Sequence, residues 1–179
     1  MTRGRFSIRQ ATASQARRIH ALIAAHLEEG HLLPRTLSEI ALHADRFVIG
    51  LRGRTIVGCA ELAPLSRHVA EVRSLAVARA ERGSGIGIEL VDELKRRARR
   101  EGFDKLCAFT HVPGYFIGMG FSIVPHLWLP EKVFTDCVGC PLFRRCGQYA
   151  MVLPLEDAAD RPSEPAWQPG HGTWLARHA

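Results

Sequence analysis

The sequence predicts an α/β protein, a mixed sheet with helices on both faces, and three observations carry the prediction. Short strand-like runs of Val, Ile and Ala open the chain. A strongly amphipathic helix then sits between two apolar strands, and a short helix and a last strand follow. The length of 179 residues is enough for one core of ordinary size, and a 46% hydrophobic composition suits a soluble globular chain. A single domain over 5–155 is expected, with 156–179 as a flexible tail, because the composition shifts there to Asp, Pro, Gly and Ala. Trp167 and Trp174 are the tail's exceptions and could dock.

Phe6 to Arg9 reads as a first strand and Ala11 to Leu27 as an amphipathic helix. Pro34 breaks the chain, and Thr36 or Ser38 can cap a second short helix ending near His43. Phe47 to Gly50 and Thr55 to Leu62 follow as strands, joined by a glycine-containing hairpin turn at Leu51-Arg-Gly-Arg54. The next strand, Glu71 to Val77, runs towards Arg82-Gly-Ser-Gly-Ile-Gly87 and a helix in which Ile86, Leu90, Leu94 and Ala98 recur at four-residue spacing. That helix stops at Gly102 after a basic last turn. Leu106 to Thr110 reads as a strand, Phe116 to Phe121 as a short helix ending in Gly-Phe, and Gln148 to Leu153 as the final strand. There is no internal repeat.

The segment Arg82, Gly83, Ser84, Gly85, Ile86, Gly87 has the makings of a pyrophosphate cradle. Glycines let the backbone approach an anion, N–H groups point into the turn, and the positive end of the next helix lies on the same spot. It is not a P-loop, since no Lys follows Gly87, and the third glycine comes one residue too early for a dinucleotide fingerprint. Taken alone, the loop is equally compatible with a plain strand-to-helix turn.

Arg82-x-x-Gly85-x-Gly87 after Glu71-Val-Arg-Ser-Leu-Ala-Val77, with Phe116-Ile-Gly-Met-Gly-Phe121 further on, resembles the GNAT superfamily of N-acetyltransferases. Glu28-Glu-Gly-His-Leu-Leu-Pro-Arg35, Gly58-Cys-Ala60, Leu129-Pro-Glu-Lys132 and Asp136-Cys-Val-Gly-Cys-Pro141 are similar to the short bacterial N-acetylglutamate synthases within it. The resemblance covers roughly residues 6 to 153. It implies the GNAT fold, a largely antiparallel mixed sheet of about six to seven strands. It also implies acetyl-CoA as cosubstrate and direct transfer of acetyl to an amino acid, glutamate first, the opening step of arginine biosynthesis. No amino-acid-kinase domain stands ahead of the match, so no arginine feedback through one is expected. The alternatives are another small amine, a protein N-terminus, or a non-catalytic acyl-CoA sensor.

The resemblance also assigns roles. The backbone of Leu75, Ala76 and Val77, on a strand that splays from its neighbour, would pair with the pantetheine amides and the thioester oxygen. Glu71, at the entrance of that strand, is the candidate base, provided partial burial raises its pKa towards neutrality. The competing reading is a strand-edge glutamate facing solvent. Glu61 is the reserve, and His68 and His111 are weaker. The position that usually supplies a thiolate-protonating tyrosine is Phe116 here, and Tyr115 would point about 100° away. Ser74, Thr110 or water is left as the donor. Arg35, Arg73 and Lys132 are the candidate acceptor-binding cations, because two carboxylates call for cationic groups; each alone is equally a surface charge.

The formal charge of +6 is mostly arginine. Its densest cluster, Arg96 to Arg100, is flanked by Asp92, Glu93 and Glu101, so it reads as a solvated helix end and not as a nucleic-acid surface. No apolar run reaches the roughly twenty residues of a membrane span, and the N-terminus carries no signal-like segment, so a cytoplasmic, membrane-free protein is expected. Its partners are then the amino acid and acetyl-CoA, with a homodimer left open. Cys59 and Cys107 sit mid-strand and read as core, which speaks against an acyl-enzyme. Cys137, Cys140 and Cys146 have the close first spacing of a zinc knuckle, without its second pair. Zinc, reduced thiols and a redox-sensitive bridge all stay open for them.

Overall fold

A computed structural model describes residues 5–30 and 32–155; the predicted tail lies outside the described residues. Seven strands are present: β1 (Ser7–Gln10), β2 (Phe47–Arg52), β3 (Thr55–Pro64), β4 (Val69–Val77), β5 (Lys105–Thr110), β6 (Ser122–Val124) and β7 (Tyr149–Pro154). The helices are α1 (Ala16–Ala24), α2 (Leu37–Leu42), α3 (Ile86–Arg100), α4 (Pro113–Ile117) and α5 (Pro130–Lys132). The strands form one sheet in the order β1-β2-β3-β4-β5-β7-β6. Only β4 and β5 pair in parallel. The predicted α/β class, with a mixed and mostly antiparallel sheet, is the observed one.

Helix positions follow from local chemistry. Thr36 caps α2, accepting the Glu39 N–H on its hydroxyl while the Glu39 carboxylate takes the Thr36 N–H. The predicted Ala11 to Leu27 helix is shorter than its periodicity suggests. The Gln15 side chain accepts the Thr12 N–H over a 3₁₀ turn at Ala13–Gln15, and a second such turn, Leu27–Glu29, ends on Gly30 at φ 73°. Strand β6 was not expected. It is three residues long, with Ser122 and Ile123 exposed at the sheet edge, so it carries no alternating pattern to read.

One face of the sheet takes α3, which buries Ile86, Leu90, Val91, Leu94 and Ala98, the residues of the predicted stripe and Val91 beside them. The other face takes α1 and α2, whose Ile19, Ile23 and Ile40 lie on Phe47, Ile49 and Cys59. Two facing glycines set the height of α3. Gly50 and Gly58 pair across β2 and β3, and a Cβ on either would come within 2.9 Å of Ile86 Cγ2. The start of α3 can therefore rest directly on the sheet, which fixes where the glycine loop lies. The basic end of α3 is answered within the helix: Arg96 and Arg100 bond Glu93, and Arg97 bonds Glu101. No described helix is long and apolar enough to cross a membrane.

Candidate active site

Strand β4 is the axis of the site. Its parallel pairing with β5 covers only Val69, Ala70 and Glu71, opposite Lys105, Leu106 and Cys107. Beyond Glu71 the two strands part, while β4 stays paired to β3 as far as Val77. The backbone edge at Leu75, Ala76 and Val77 is thus unpaired towards β5, which is the expected splay. A bulge marks its start. Between the Cys59–Ala76 and Glu61–Arg73 pairs, β3 advances two residues and β4 three. The extra residue is accommodated at Ser74, the one non-glycine described at positive φ, 54°. Its carbonyl accepts the Cys59 thiol at 3.6 Å.

From Val77 the chain makes a 3₁₀ turn at Arg79–Glu81 and enters the loop. Gly83 and Gly85 lie at φ 76° and 88°, where a side chain would be strained, and Gly85 is the N-cap of α3. The Ser84 hydroxyl is turned inward, donating to the Glu81 carbonyl at 2.5 Å. Arg52 holds Glu81 with two bonds of 2.7 and 2.8 Å, anchoring the loop to β2. Gly83 and Ser84 open on a cavity of about 610 Å³ bordered by Arg5, Arg52 and Arg96 and also by Glu89 and Glu93; Arg52 is paired with Glu81 and Arg96 with Glu93. Arg82 is already engaged: with Arg79 it grips Glu29, at 2.6 and 2.8 Å, and the two guanidiniums lower that carboxyl to about 2. Gly87 has a different reason to be glycine, since a Cβ there would collide with the Tyr115 hydroxyl.

At the other end of the free edge lies a cluster of charges. Glu71 and Arg73 are two apart on β4, and Glu61 faces Arg73 across β3, so all three project from one face of the sheet. Arg35, from the stretch between α1 and α2, donates to Glu61 at 2.8 Å. Lys132 on α5 reaches both oxygens of Glu71 at 2.9 Å, while Arg73 donates to Glu71 Oε2 at 2.6 and 3.0 Å. Asp136, one turn beyond Lys132, accepts from Arg73 at 2.6 Å and from Lys132 at 2.7 Å. Burial opposes the charge on Asp136, but the Lys132 hydrogen bond and the Arg73 guanidinium outweigh it and hold the carboxyl below its usual range. Lys132 also lies over the Phe109 ring, 5.2 Å from its centroid.

The structure thus brings Arg35, Arg73 and Lys132 into one place, though in ion pairs and not as open cations. Glu71 and Glu61 are both buried there, so neither is the solvent-facing strand-edge glutamate that was the alternative. His68 is paired with Asp104 at 2.7 Å, at the far end of β4 from the loop, and His111 is in the exposed turn after β5. The Thr110 hydroxyl accepts the Val112 N–H.

Phe116 is buried against Phe121, edge to face, whereas Tyr115 turns out of that core and reaches Gly87 at the start of α3. The divergence expected of adjacent helical residues is therefore present, and it aims the tyrosine at the glycine loop. Cys59 and Cys107 are fully buried; burial pushes the Cys59 thiol up to about 12 and raises that of Cys107 as well. Cys137 and Cys140 close a turn, the Cys140 N–H donating to the Cys137 carbonyl at 3.0 Å, and Cys146 is exposed. Among the described residues no group of three or more His, Cys, Asp or Glu side chains is arranged to hold a metal ion, so the zinc reading gains no support.

Asp136 and Glu29 are residues around the site to which sequence reasoning gave no role, and Tyr115 is one that it set aside. Only Asp136 had a readable signal: it lies four residues after Lys132, the spacing of a helical ion pair.

Three comparisons with known proteins bear on this arrangement. A sequence model of the acetyltransferase (GNAT) family matches residues 14–115, more than half of the chain. An uncharacterized N-acetyltransferase of Chlorobaculum tepidum is 32% identical over 149 residues, covering 83% of this chain and 96% of its own. The amino-acid acetyltransferase of Escherichia coli K12 is 30% identical over 127 residues, 70% of this chain and 29% of that protein. Among solved structures, N-acetylglutamate synthase from Neisseria gonorrhoeae, complexed with coenzyme A and N-acetyl-glutamate, superposes with a TM-score of 0.77 at 27% identity. That match covers 86% of this chain and 36% of that one, so the chain spans about a third of the length of both proteins named for amino-acid or glutamate chemistry.

Proposed function

Since the chain belongs to the acetyltransferase (GNAT) family, we propose that this N-acetyltransferase moves acetyl from acetyl-CoA directly to the α-amine of an amino acid, with glutamate the first acceptor to test. That would make it the first step of arginine biosynthesis. The observation that carries the reading is the course of β4. Within one strand it passes from a buried cluster of carboxylates and cations, through a bulge, to an unpaired edge that feeds the glycine loop. An acceptor and an acyl carrier bound at those two ends would meet at the bulge. The gonococcal synthase, 27% identical and crystallised with coenzyme A and N-acetyl-glutamate, supports both halves of this assignment.

In this reading the pyrophosphate rests on the N–H groups of Gly83 to Gly87 at the positive end of α3. The pantetheine amides continue the sheet along Leu75, Ala76 and Val77, and a backbone N–H there polarises the thioester carbonyl. Arg35, Arg73 and Lys132 orient the acceptor carboxylates, each shared with a carboxylate of the chain. Glu71, fixed by Lys132 and Arg73, takes the amine proton through a water. Ser74, at the bulge where the thiolate would leave, is the candidate to return a proton to it, while the Tyr115 hydroxyl lies beside Gly87 at the loop end. Burial of Cys59 and Cys107 favours direct transfer, since neither thiol is placed to be a nucleophile.

Coenzyme A release across the twenty amino acids tests the acceptor. Turnover on spermidine, an aminoglycoside or a protein N-terminus without turnover on any amino acid would overturn it. Glu71→Gln should lower kcat by about 10²- to 10⁴-fold while leaving coenzyme affinity within about twofold. An unchanged kcat and pH–rate profile would remove Glu71 from the base role.

A further inference from the structure

Each of the three cations at the acceptor end is answered by a carboxylate of the chain itself. Arg35 faces Glu61, and Arg73 and Lys132 share Glu71 and Asp136. At hydrogen-bond distance three positive and three negative groups balance, and the half-exposed Glu39 adds a longer contact to Arg35 at 3.9 Å, so the cluster has no positive surplus. A pocket meant to prefer a second carboxylate over a neutral group would be expected to keep a positive surplus.

The three carboxylates are not equivalent. Glu61 and Glu71 are fixed on adjacent strands, with side chains 1% and 5% exposed. Asp136 comes from the helical turn after α5 and keeps 35% of its side chain in contact with solvent. Its Oδ2 takes both the Arg73 Nη2 and Lys132 Nζ donors, at 2.6 and 2.7 Å. A bound carboxylate would use the same two donors in the same way. Removing Asp136 would leave the sheet framework intact and take one negative charge from beside Arg73 and Lys132.

Resting on the amino-acid reading above, we infer that Asp136 is a specificity-determining residue: by occupying Arg73 and Lys132 it lowers the enzyme's preference for a dicarboxylic acceptor over the corresponding neutral amide. Glutamate and glutamine are the natural pair of probes, since they differ at that one group and share the reacting amine. Because Asp136 shares Arg73 and Lys132 with Glu71, the glutamate-to-glutamine ratio is the readout, since an effect on kcat common to both acceptors cancels in it.

The experiment measures kcat/KM for glutamate and for glutamine with the wild-type protein, Asp136→Asn, Asp136→Ser and Asp136→Glu. The two neutral variants should raise the glutamate-to-glutamine ratio by about tenfold or more. Asp136→Glu, which keeps the charge, should stay within about twofold of wild type. A ratio unchanged in whichever neutral variants fold, or raised equally by Asp136→Glu, would overturn the role of Asp136 and leave the amino-acid reading standing. Turnover of neither amino acid by any of the four proteins, alongside acetylation of another amine, would overturn both.

Discussion

The two ends of β4 are built on opposite plans. The glycine loop is contiguous in sequence, presents backbone, and owes its shape to residues that lack side chains or turn them away. The charge cluster draws side chains from the stretch before α2, from β3, from β4, from α5 and from the turn after it, with bonded partners as many as 63 residues apart. The loop end can be read from a short string of letters. The cluster exists only once the chain has folded: Glu71–Arg73 and Lys132–Asp136 are neighbours in sequence, but Arg35–Glu61, Lys132–Glu71 and Arg73–Asp136 are joined by the fold alone.

This contrast can be broken experimentally, and the largest effect is expected in the cluster. Lys132→Met leaves Glu71 and Asp136 with Arg73 alone of the two cations they share, and should cost up to about 3 kcal/mol in urea unfolding, the scale for removing one partner of a buried ion pair. Coenzyme affinity should hardly change. A loss below about 1 kcal/mol would mean that the cluster is held from outside and not by its own pairs. Next comes the loop. Gly85→Val places a β-branched residue at φ 88°, costing about 1 to 3 kcal/mol of strain; if the strain falls on the bound state, coenzyme affinity drops roughly tenfold or more while the acceptor KM stays put. Equal damage to both ligands would show that the two ends are not separable.

The smallest effect refines the loop further. Gly87→Ala sets a methyl against the Tyr115 hydroxyl and should destabilise by about 0.5 to 1 kcal/mol. In the Tyr115→Phe background the same change should turn neutral or stabilising, since alanine is the better helix former by up to about 1 kcal/mol once the hydroxyl is gone. A strictly additive double mutant would deny the contact.

Legibility followed the same division. Strand and helix order, the buried stripe of α3, the Thr36 cap and the glycine loop all rest on local periodicity or local turn chemistry, and the sequence carried them. Arg35, Arg73 and Lys132 could be singled out as cations, and the spacings of Glu71 to Arg73 and of Lys132 to Asp136 are local, but nothing local indicated that Glu61 would meet Arg35 or that Lys132 would reach Glu71. Tyr115 was set aside for pointing away from Phe116, and it does; that it points towards Gly87 depends on how α4 packs against β6 and β7. The Gly50–Gly58 pair is likewise invisible in one dimension, since its reason is Ile86 on a helix reached only after the next strand. Strand β6 escaped because an exposed three-residue edge needs no pattern.

The unpaired stretch of β4 has a meaning beyond ligand contact. An open strand edge ordinarily invites another polypeptide, and proteins guard against it with charge, proline or cover. Here the opening is a wedge between two strands of the same sheet, closed at Glu71 and Cys107, and its free amides suit a slender chain that carries amides of its own. On the proposed chemistry the cosubstrate completes the sheet for one turnover and then withdraws. The amide protons from Leu75 to Val77 that face the wedge would exchange slowly while acetyl-CoA is bound and quickly once coenzyme A has gone.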